Sequence, residues 1–190
     1  MRNSFLVLAL FMCVFFGAQA QKIVVKNNLV QDAFATPNLS LEVAMGKKTT
    51  FDLSFGANLF GNEKDVRKFK HFIVQPELRF WTCERFNGWF FGAHALGGQY
   101  NIANYKLPFG MLSELEHERR QGWYAGLGVG VGYQWVLSRR WSLEAELGGG
   151  YVYTDFDRYA CGQCGKRLSS DNKHYFGLTK AAVSLVYVIR

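Results

Sequence analysis

The sequence contains no Pro/Ser/Gly linker and no low-complexity tract, and after its first twenty residues it has no apolar segment long and uniform enough to cross a membrane as a helix. Without a linker, a chain of 190 residues is expected to form one domain of ordinary size. Without a run of about 20 consecutive apolar residues, no membrane-spanning helix is expected after residue 20.

Residues 1–20 have the composition of a secretory signal peptide. Arg2 is followed by an apolar run from Phe5 to Phe16 and then by Ala18-Gln19-Ala20, which match the charged, apolar and small-residue regions of such a signal. The run is too short to span about 30 Å of hydrocarbon as a helical anchor. We therefore expect cleavage after Ala20 and an exported domain that covers residues 21–190.

The exported chain is basic. Removing residues 1–20 takes away Arg2, so 21 Lys and Arg minus 15 Asp and Glu leave a net charge of +6. Export argues against a nucleic-acid partner, and the charges are scattered along the chain. We expect the positive charges to lie on a surface that faces solvent or lipopolysaccharide. No cofactor is expected.

Apolar and polar residues alternate with a period of two, which is typical of β-strands with two different faces. From Trp123 to Trp135 the odd positions are apolar and the even positions are mostly glycine, and from Trp141 to Tyr153 apolar residues alternate with carboxylates and glycines. Long strands with one lipid-like face bounded by aromatics and one polar face indicate a membrane barrel. A soluble sandwich or lipocalin would have shorter strands and an inward apolar face.

Eight strands of this kind can be counted, although the first alternates least clearly. They are predicted at 23–34, 39–45, 51–59, 72–81, 89–101, 123–135, 141–153 and 179–190. The predicted fold is all-β, an eight-stranded antiparallel up-and-down transmembrane β-barrel in contact with outer-membrane lipid.

Tight and long connections follow one another along the chain, and only the turn at 36–38 breaks this rule. The tight turns are at 46–48, 84–88 and 138–140, and the long charged connections are at 61–70, 102–121 and 157–173. Outer-membrane barrels have short periplasmic turns and longer extracellular loops. Both termini are therefore expected in the periplasm and the long loops outside the cell.

Aromatic residues lie near both ends of the predicted strands. Near the periplasmic turns they are Trp89, Trp135 and Trp141, and near the outer ends they are Trp123, Tyr151 and Tyr153. These positions predict two aromatic girdles, one at each membrane interface.

Several segments form a combination that is more specific than any single motif. They are 36–39 (TPNL), 75–81 (QPELRFW), 91–94 (FGAH), 132–135 (GYQW), 140–144 (RWSLE) and 159–164 (YACGQC). Across essentially the whole exported chain, these segments resemble a domain-of-unknown-function family of Bacteroidetes outer-membrane proteins. The resemblance implies a barrel, often encoded near fimbrial or surface-assembly genes. Because that family is functionally uncharacterised, it implies no catalytic residues.

Charged side chains of both signs fall on the face that is predicted to point into the barrel. They are Glu42, Asp52, Glu77, Arg79, His94, Glu144, Glu146 and Lys180. Eight strands leave room only for side chains inside, and isolated buried ions cost several kcal/mol each. We therefore expect a plug of salt bridges inside the barrel. A path for protons or ions is the alternative.

No catalytic, cofactor-binding or metal site emerges from the motifs. The glycines of segment 126–132 are spaced Gly-x-Gly-x-Gly, which fails the nucleotide-binding pattern, and His94 has no visible catalytic partner. Cys161 and Cys164 are separated by two residues, a spacing that suits a disulfide, half a metal site or a redox pair. An oxidising exterior favours a disulfide that staples a loop, which leaves Cys83 as a free thiol.

These observations favour a non-enzymatic outer-membrane barrel whose extracellular loops bind or anchor another envelope component, such as a fimbrial or adhesive assembly. One alternative is an envelope enzyme that acts on lipid or peptide with a rim histidine, His117 or His174, beside a carboxylate. A narrow channel is the other alternative.

Overall fold

The computed structural model describes residues 22–58, 68–103, 119–159 and 167–189. Within these ranges, eight antiparallel strands follow one another around a ring, and the first pairs with the last to close it. The predicted all-β, eight-stranded antiparallel up-and-down barrel is therefore confirmed. Among the described residues, no helix is long and apolar enough to cross a membrane. The predicted signal peptide lies outside the described residues and stays a prediction.

The strands lengthen steadily along the chain. They are β1 (Ile23–Asn28), β2 (Asn38–Ala44), β3 (Thr49–Asn58), β4 (Lys68–Trp81), β5 (Gly88–Ala103), β6 (Arg119–Val136), β7 (Trp141–Tyr159) and β8 (Arg167–Val188), with one short helix, α1 (Leu29–Ala33). Because β1 has six residues and β8 has 22, the barrel wall is low around β1 to β3 and high around β5 to β8.

The two ends of the barrel differ. The connections at 45–48, 82–87 and 137–140 are short and lie at the end that also holds both described termini. We call this end the turn end. The opposite end, from which the chain continues into segments 59–67, 104–118 and 160–166, is the loop end.

The prediction of a single strand over 23–34 is wrong beyond residue 28. There the chain turns into α1, because the side-chain oxygen of Asn28 accepts a hydrogen bond from the Val30 N–H at 3.0 Å and caps the helix. Asn38 holds the returning chain in place by donating to the Asn28 carbonyl at 2.8 Å. In the sequence, the apolar residues Leu29 and Val30 resemble a continuation of β1, and for this reason the predicted strand is too long.

The predictions of a loop at 157–173 and of a last strand that starts at 179 are also wrong, since β7 continues to Tyr159 and β8 begins at Arg167. From Arg167 to His174 the added part of β8 is mostly polar, so there it lacks the alternation that marks a lipid-facing strand. It is held by main-chain pairing with β7.

The outer face of the barrel is apolar, and most of the inner face is polar. Outward residues that are exposed include Leu39, Leu41, Leu53, Phe55, Phe91, Leu127, Val129, Leu147, Phe176, Leu178 and Leu185. Leu127 and Val129 are each more than two-thirds exposed, at 69% and 68%. This arrangement is the reverse of a soluble barrel and matches the alternation of membrane-spanning strands.

Candidate functional site

The interior of the barrel holds a cluster of charged side chains. Those predicted from the sequence to point inward all do so: seven are buried, and Lys180 has a side chain that is 8% exposed. Apart from His94, they join Lys26 in one connected set that we call the interior charge cluster: Lys26, Glu42, Asp52, Glu77, Arg79, Glu144, Glu146 and Lys180.

Arg79 is the centre of this cluster. Its Nη1 donates to Glu42 at 3.1 Å and to Glu144 at 2.9 Å, and its Nη2 donates to Glu146 at 2.7 Å. Its Nε donates to Glu77 at 3.0 Å. A planar guanidinium with five N–H donors can serve several carboxylates at once, so one side chain connects β2, β4 and β7 through the barrel interior.

Two lysines complete the cluster. Lys26 on β1 lies 2.6 Å from Glu42 and 3.4 Å from both Asp52 and Glu144. Lys180 on β8 is hydrogen-bonded to Glu77 and lies 3.1 Å from Glu146. Lys26 is not predicted from the sequence because β1 is too short to show a clear alternation, although Lys26 is in phase with the inward Val24.

The cluster contains more acids than bases. Glu42, Asp52, Glu77, Glu144 and Glu146 are five carboxylates against the three cations Lys26, Arg79 and Lys180, a difference of two. Hydroxyl groups supply part of the remaining stabilisation, since Ser40 donates to Asp52 and Thr50 donates to Glu42. Such a cluster is stable only while each charge keeps its partners, because an uncompensated buried ion is costly.

An apolar layer closes the interior on the turn-end side of the cluster. It consists of Val24, Ala44, Trp81, Phe86, Phe90 and Val186, all of them buried. The ring of Trp81 lies 4.8 Å from that of Phe90 and 5.9 Å from that of Phe86. The guanidinium carbon of Arg79 sits 4.4 Å above the Phe90 ring, so this layer and the charge cluster are in direct contact.

On the loop-end side of the cluster, the interior continues as a polar and aromatic layer. His94 Nε2 lies 2.9 Å from the Thr179 hydroxyl, and Tyr100 is hydrogen-bonded to Thr154 at 3.0 Å. A cavity of about 30 Å³ borders the cluster, and one of about 390 Å³ lies at the loop end. The first has the size of one or two water molecules.

Glycines make room for the large interior side chains. A Cβ atom on Gly132 would overlap the Phe90 ring, one on Gly92 would overlap the Glu77 carboxylate, and one on Gly128 would come within 2.5 Å of His94. The segment 126–132 therefore serves packing within β6, and it contains no helix that could bind a phosphate.

Several predicted features lie elsewhere. Cys161, Cys164 and His117 fall outside the described residues, and Cys83 is an exposed free thiol in a turn-end connection. His174 lies on the outer face, where its ring is hydrogen-bonded to the Tyr151 hydroxyl and lies 5.4 Å from the Tyr153 ring. Within the described ranges, no group of three or more His, Cys, Asp or Glu side chains is arranged to hold a metal ion.

The aromatic residues at the strand ends are on the outer face and contact one another. At the turn end, Trp89 lies 5.1 Å from Tyr133, Tyr133 lies 4.8 Å from Trp135, and Trp141 lies 4.9 Å from Tyr187. Towards the loop end, Trp123 lies 5.6 Å from Tyr153. The structure thus has an exposed aromatic band at two levels, with the apolar face of the strands between them.

Comparisons with known proteins give a family and a likeness to solved structures. A family model described as "Protein of unknown function (DUF3575)" matches residues 5–189. Among solved structures, the N-terminal β-barrel domain of Pseudomonas aeruginosa OprF is similar over 89% of this chain and 96% of that chain, with 14% sequence identity and a TM-score of 0.42. No curated protein matches the sequence.

Proposed function

The chain belongs to the DUF3575 family of proteins of unknown function, and we propose that it is a sealed β-barrel of the outer membrane whose loop end holds another component of the cell envelope. In this proposal the termini and short turns are in the periplasm and the loop end faces the exterior. The signal-like residues 1–20 provide the export that this location needs.

The spacing of the aromatic bands is the observation that carries the membrane location. Trp123 and Tyr133 are ten residues apart on β6, which is about 33 Å along a strand. With the strand tilt of about 40° that is common in such barrels, this corresponds to a height of about 25 Å, the height of the apolar band in outer-membrane proteins. Apolar residues cover the outer face between the two bands.

The side chains that fill the barrel interior favour a role as an anchor and argue against a channel. The apolar layer around Trp81 and Phe90 and the interior charge cluster occupy successive levels of the interior. Ions that cross would have to displace side chains that are bonded to partners on several strands. A function at the loop end, such as the attachment of a fimbrial or adhesive assembly, uses the barrel as a rigid base.

The enzyme alternative needs a rim histidine beside a carboxylate. In the described part of the chain, His174 contacts Tyr151 and Tyr153 and no carboxylate. These contacts suit an aromatic band better than a general base, so the anchor is the function that the geometry supports best.

Labelling of single thiols in whole cells tests the orientation. With Cys161→Ser and Cys164→Ser, Cys83 is the remaining thiol of the exported chain. A membrane-impermeant maleimide should label Cys83 only after the outer membrane is permeabilised. A matched variant that also carries Cys83→Ser and Ser170→Cys, at an exposed position of β8, should be labelled in intact cells. The opposite pattern would reverse the orientation.

Two further measurements test the remaining parts of the proposal. Labelling of both thiols in a soluble fraction would contradict the membrane location. Discrete conductance steps of the purified protein in a planar bilayer would contradict a sealed interior.

A further inference from the structure

Among the strands that the structure describes, much of β8 has a partner on one side only. Near its C-terminal end, Ser184–Val188 pair with β1. The side chain of Asn28 extends this contact, because it donates to the Ala181 carbonyl at 3.4 Å and accepts from the Val183 N–H at 3.3 Å. From residue 178 back to 167, β7 is the one strand in the described ranges that pairs with β8. We call residues 169–178 on the side away from β7 the open edge of β8.

The register of β8 identifies the main-chain groups that face the open edge. Near the turn end, the Val188 N–H donates towards β7, to the Arg140 carbonyl, and the Val183 N–H donates towards β1. Even-numbered amides therefore face β7 in that part of the strand. The pairing shifts by one residue opposite Gly148 and Gly149, where Thr179 is the additional residue of β8.

A one-residue shift exchanges the two sets of amides. Between residues 170 and 178, the N–H and C=O groups of even-numbered residues, among them Asn172, His174 and Phe176, face the open edge. Those of Lys173 and Tyr175 face β7. A strand with one row of unpaired N–H and C=O groups is a template for pairing with another chain.

The open edge begins where the outer face changes from apolar to polar. Phe176 pairs with Tyr151 of the loop-end aromatic band, and Asn172 pairs with Asp155 beyond it. Five consecutive residues, 172–176, are exposed, and Phe176 is 85% exposed. Unpaired backbone is not tolerated in hydrocarbon, but it is accessible at this level to water and to a protein outside the membrane.

A second copy of this chain in the same membrane cannot extend the sheet at the open edge by main-chain pairing. Two copies are related by rotation about the membrane normal, so both β8 strands run in the same vertical direction. With a tilt of about 40° from the normal, strands that face each other across such an axis cross at about 80°. Strands in one sheet differ by only about 25°, so no ladder can form between the copies.

We propose that the open edge of β8 accepts an extended segment of a different exported protein, which adds a ninth strand by main-chain pairing. This inference rests on the proposed function and names the surface through which the loop end holds its partner. Main-chain pairing supplies the affinity in this mode of binding, and pockets for alternate side chains supply specificity. Because the ring of Phe176 is exposed, we expect an apolar side chain at the facing position of the added strand.

Hydrogen exchange tests the proposal on the full-length protein. Residue-resolved exchange is compared between native outer-membrane vesicles and the same protein purified in detergent micelles. The amides of residues 172, 174 and 176 should exchange at least tenfold more slowly in the vesicles, whereas those of 173 and 175 should be protected in both. Equal and fast exchange of the even-numbered amides in both samples would overturn the proposal. Protection in the purified sample would also overturn it.

Two substitutions at one position separate main-chain from side-chain effects. His174→Pro removes an N–H that faces the open edge, at an edge position where proline is tolerated, and should abolish the added protection at residues 172 and 176. His174→Ala keeps the N–H and should retain the protection. Equal loss in both variants would contradict main-chain pairing. If the exchange results contradict pairing at the open edge while Cys83 is still labelled only after permeabilisation, the proposed orientation of the barrel is supported. The open edge is then not the docking surface.

Discussion

Arg79 Nη1 lies 2.9 Å from Glu144 Oε2, so a side chain of β4 crosses the barrel interior to reach β7, a strand with which β4 shares no ladder. Main-chain pairing holds each strand to its two neighbours. This contact and the others of the interior charge cluster hold strands that lie on opposite sides of the barrel.

Arg79→Met should destabilise the barrel strongly. The substitution leaves five buried carboxylates with two lysines, and removing one partner of a buried ionic cluster costs about 3–5 kcal/mol. Urea-induced unfolding in lipid vesicles measures the loss. Arg139→Met in an exposed turn is the matched control and should change the unfolding free energy little. A loss below about 1 kcal/mol for Arg79→Met would show that the cluster tolerates the missing charge, against this prediction.

Gly132→Ala should disturb the apolar layer. The added methyl group would overlap the Phe90 ring and lie 2.8 Å from the Ala145 carbonyl oxygen, and overpacking of this kind costs about 1–3 kcal/mol. At Gly97 the nearest atom to an added Cβ is 3.7 Å away, so Gly97→Ala should leave the unfolding free energy unchanged or raise it slightly. Equal effects of the two variants on urea unfolding would contradict the packing shown by the structure.

The fluorescence of single-tryptophan variants should place Trp123 and Trp141 at the two membrane interfaces and Trp81 out of contact with lipid. Trp123 and Trp141 are exposed at the two aromatic bands, whereas Trp81 is 3% exposed in the interior. In vesicles, lipids brominated near the headgroup should quench Trp123 and Trp141 more than lipids brominated near the chain ends, because aromatic belts lie at the headgroup level. Trp81 should respond to neither lipid. Strong quenching of Trp81 would mean that its side chain faces the membrane.

Asn28→Ala should loosen the junction between β1, α1 and β8. The side-chain oxygen of Asn28 accepts from the N–H groups of Val30 and Val183, and loss of such a cap costs about 0.5–2 kcal/mol. Hydrogen exchange at Val30 and Val183 should accelerate. Asn28→Asp keeps the acceptor oxygens and is the control that should retain slow exchange at both amides. Faster exchange in the control as well would assign the effect to the lost amide donor.

The barrel and the interior charges were predictable because both depend on a period of two. Once one face of a strand is assigned to lipid, every second residue must point inward, so Glu77 and Arg79 or Glu144 and Glu146 enter the interior together. The two aromatic levels follow from the same alternation, combined with the positions of the tight turns.

The missed features are those in which periodicity carries no information. β1 is too short to assign a face to Lys26, and α1 begins because of a hydrogen bond to the Asn28 side chain and not because of an apolar pattern. The polar part of β8 has no lipid face, so its strand character comes from pairing with β7. Where main-chain or capping contacts decide the structure, the apolar pattern is a poor guide.

Because the strands lengthen along the chain, β1 is the most weakly paired strand of the barrel. β1 is paired through four residues of β2 and five of β8, whereas β6 and β7 are paired through 18. A closed barrel can open sideways only by losing one complete ladder, and the shortest ladders flank β1. The same strand carries Lys26, which lies 2.6 Å from Glu42 on β2 and 3.4 Å from Glu144 on β7. Lys26 thus fastens the strand that main-chain pairing holds least, and an uncharged residue at position 26 would favour lateral opening along β1.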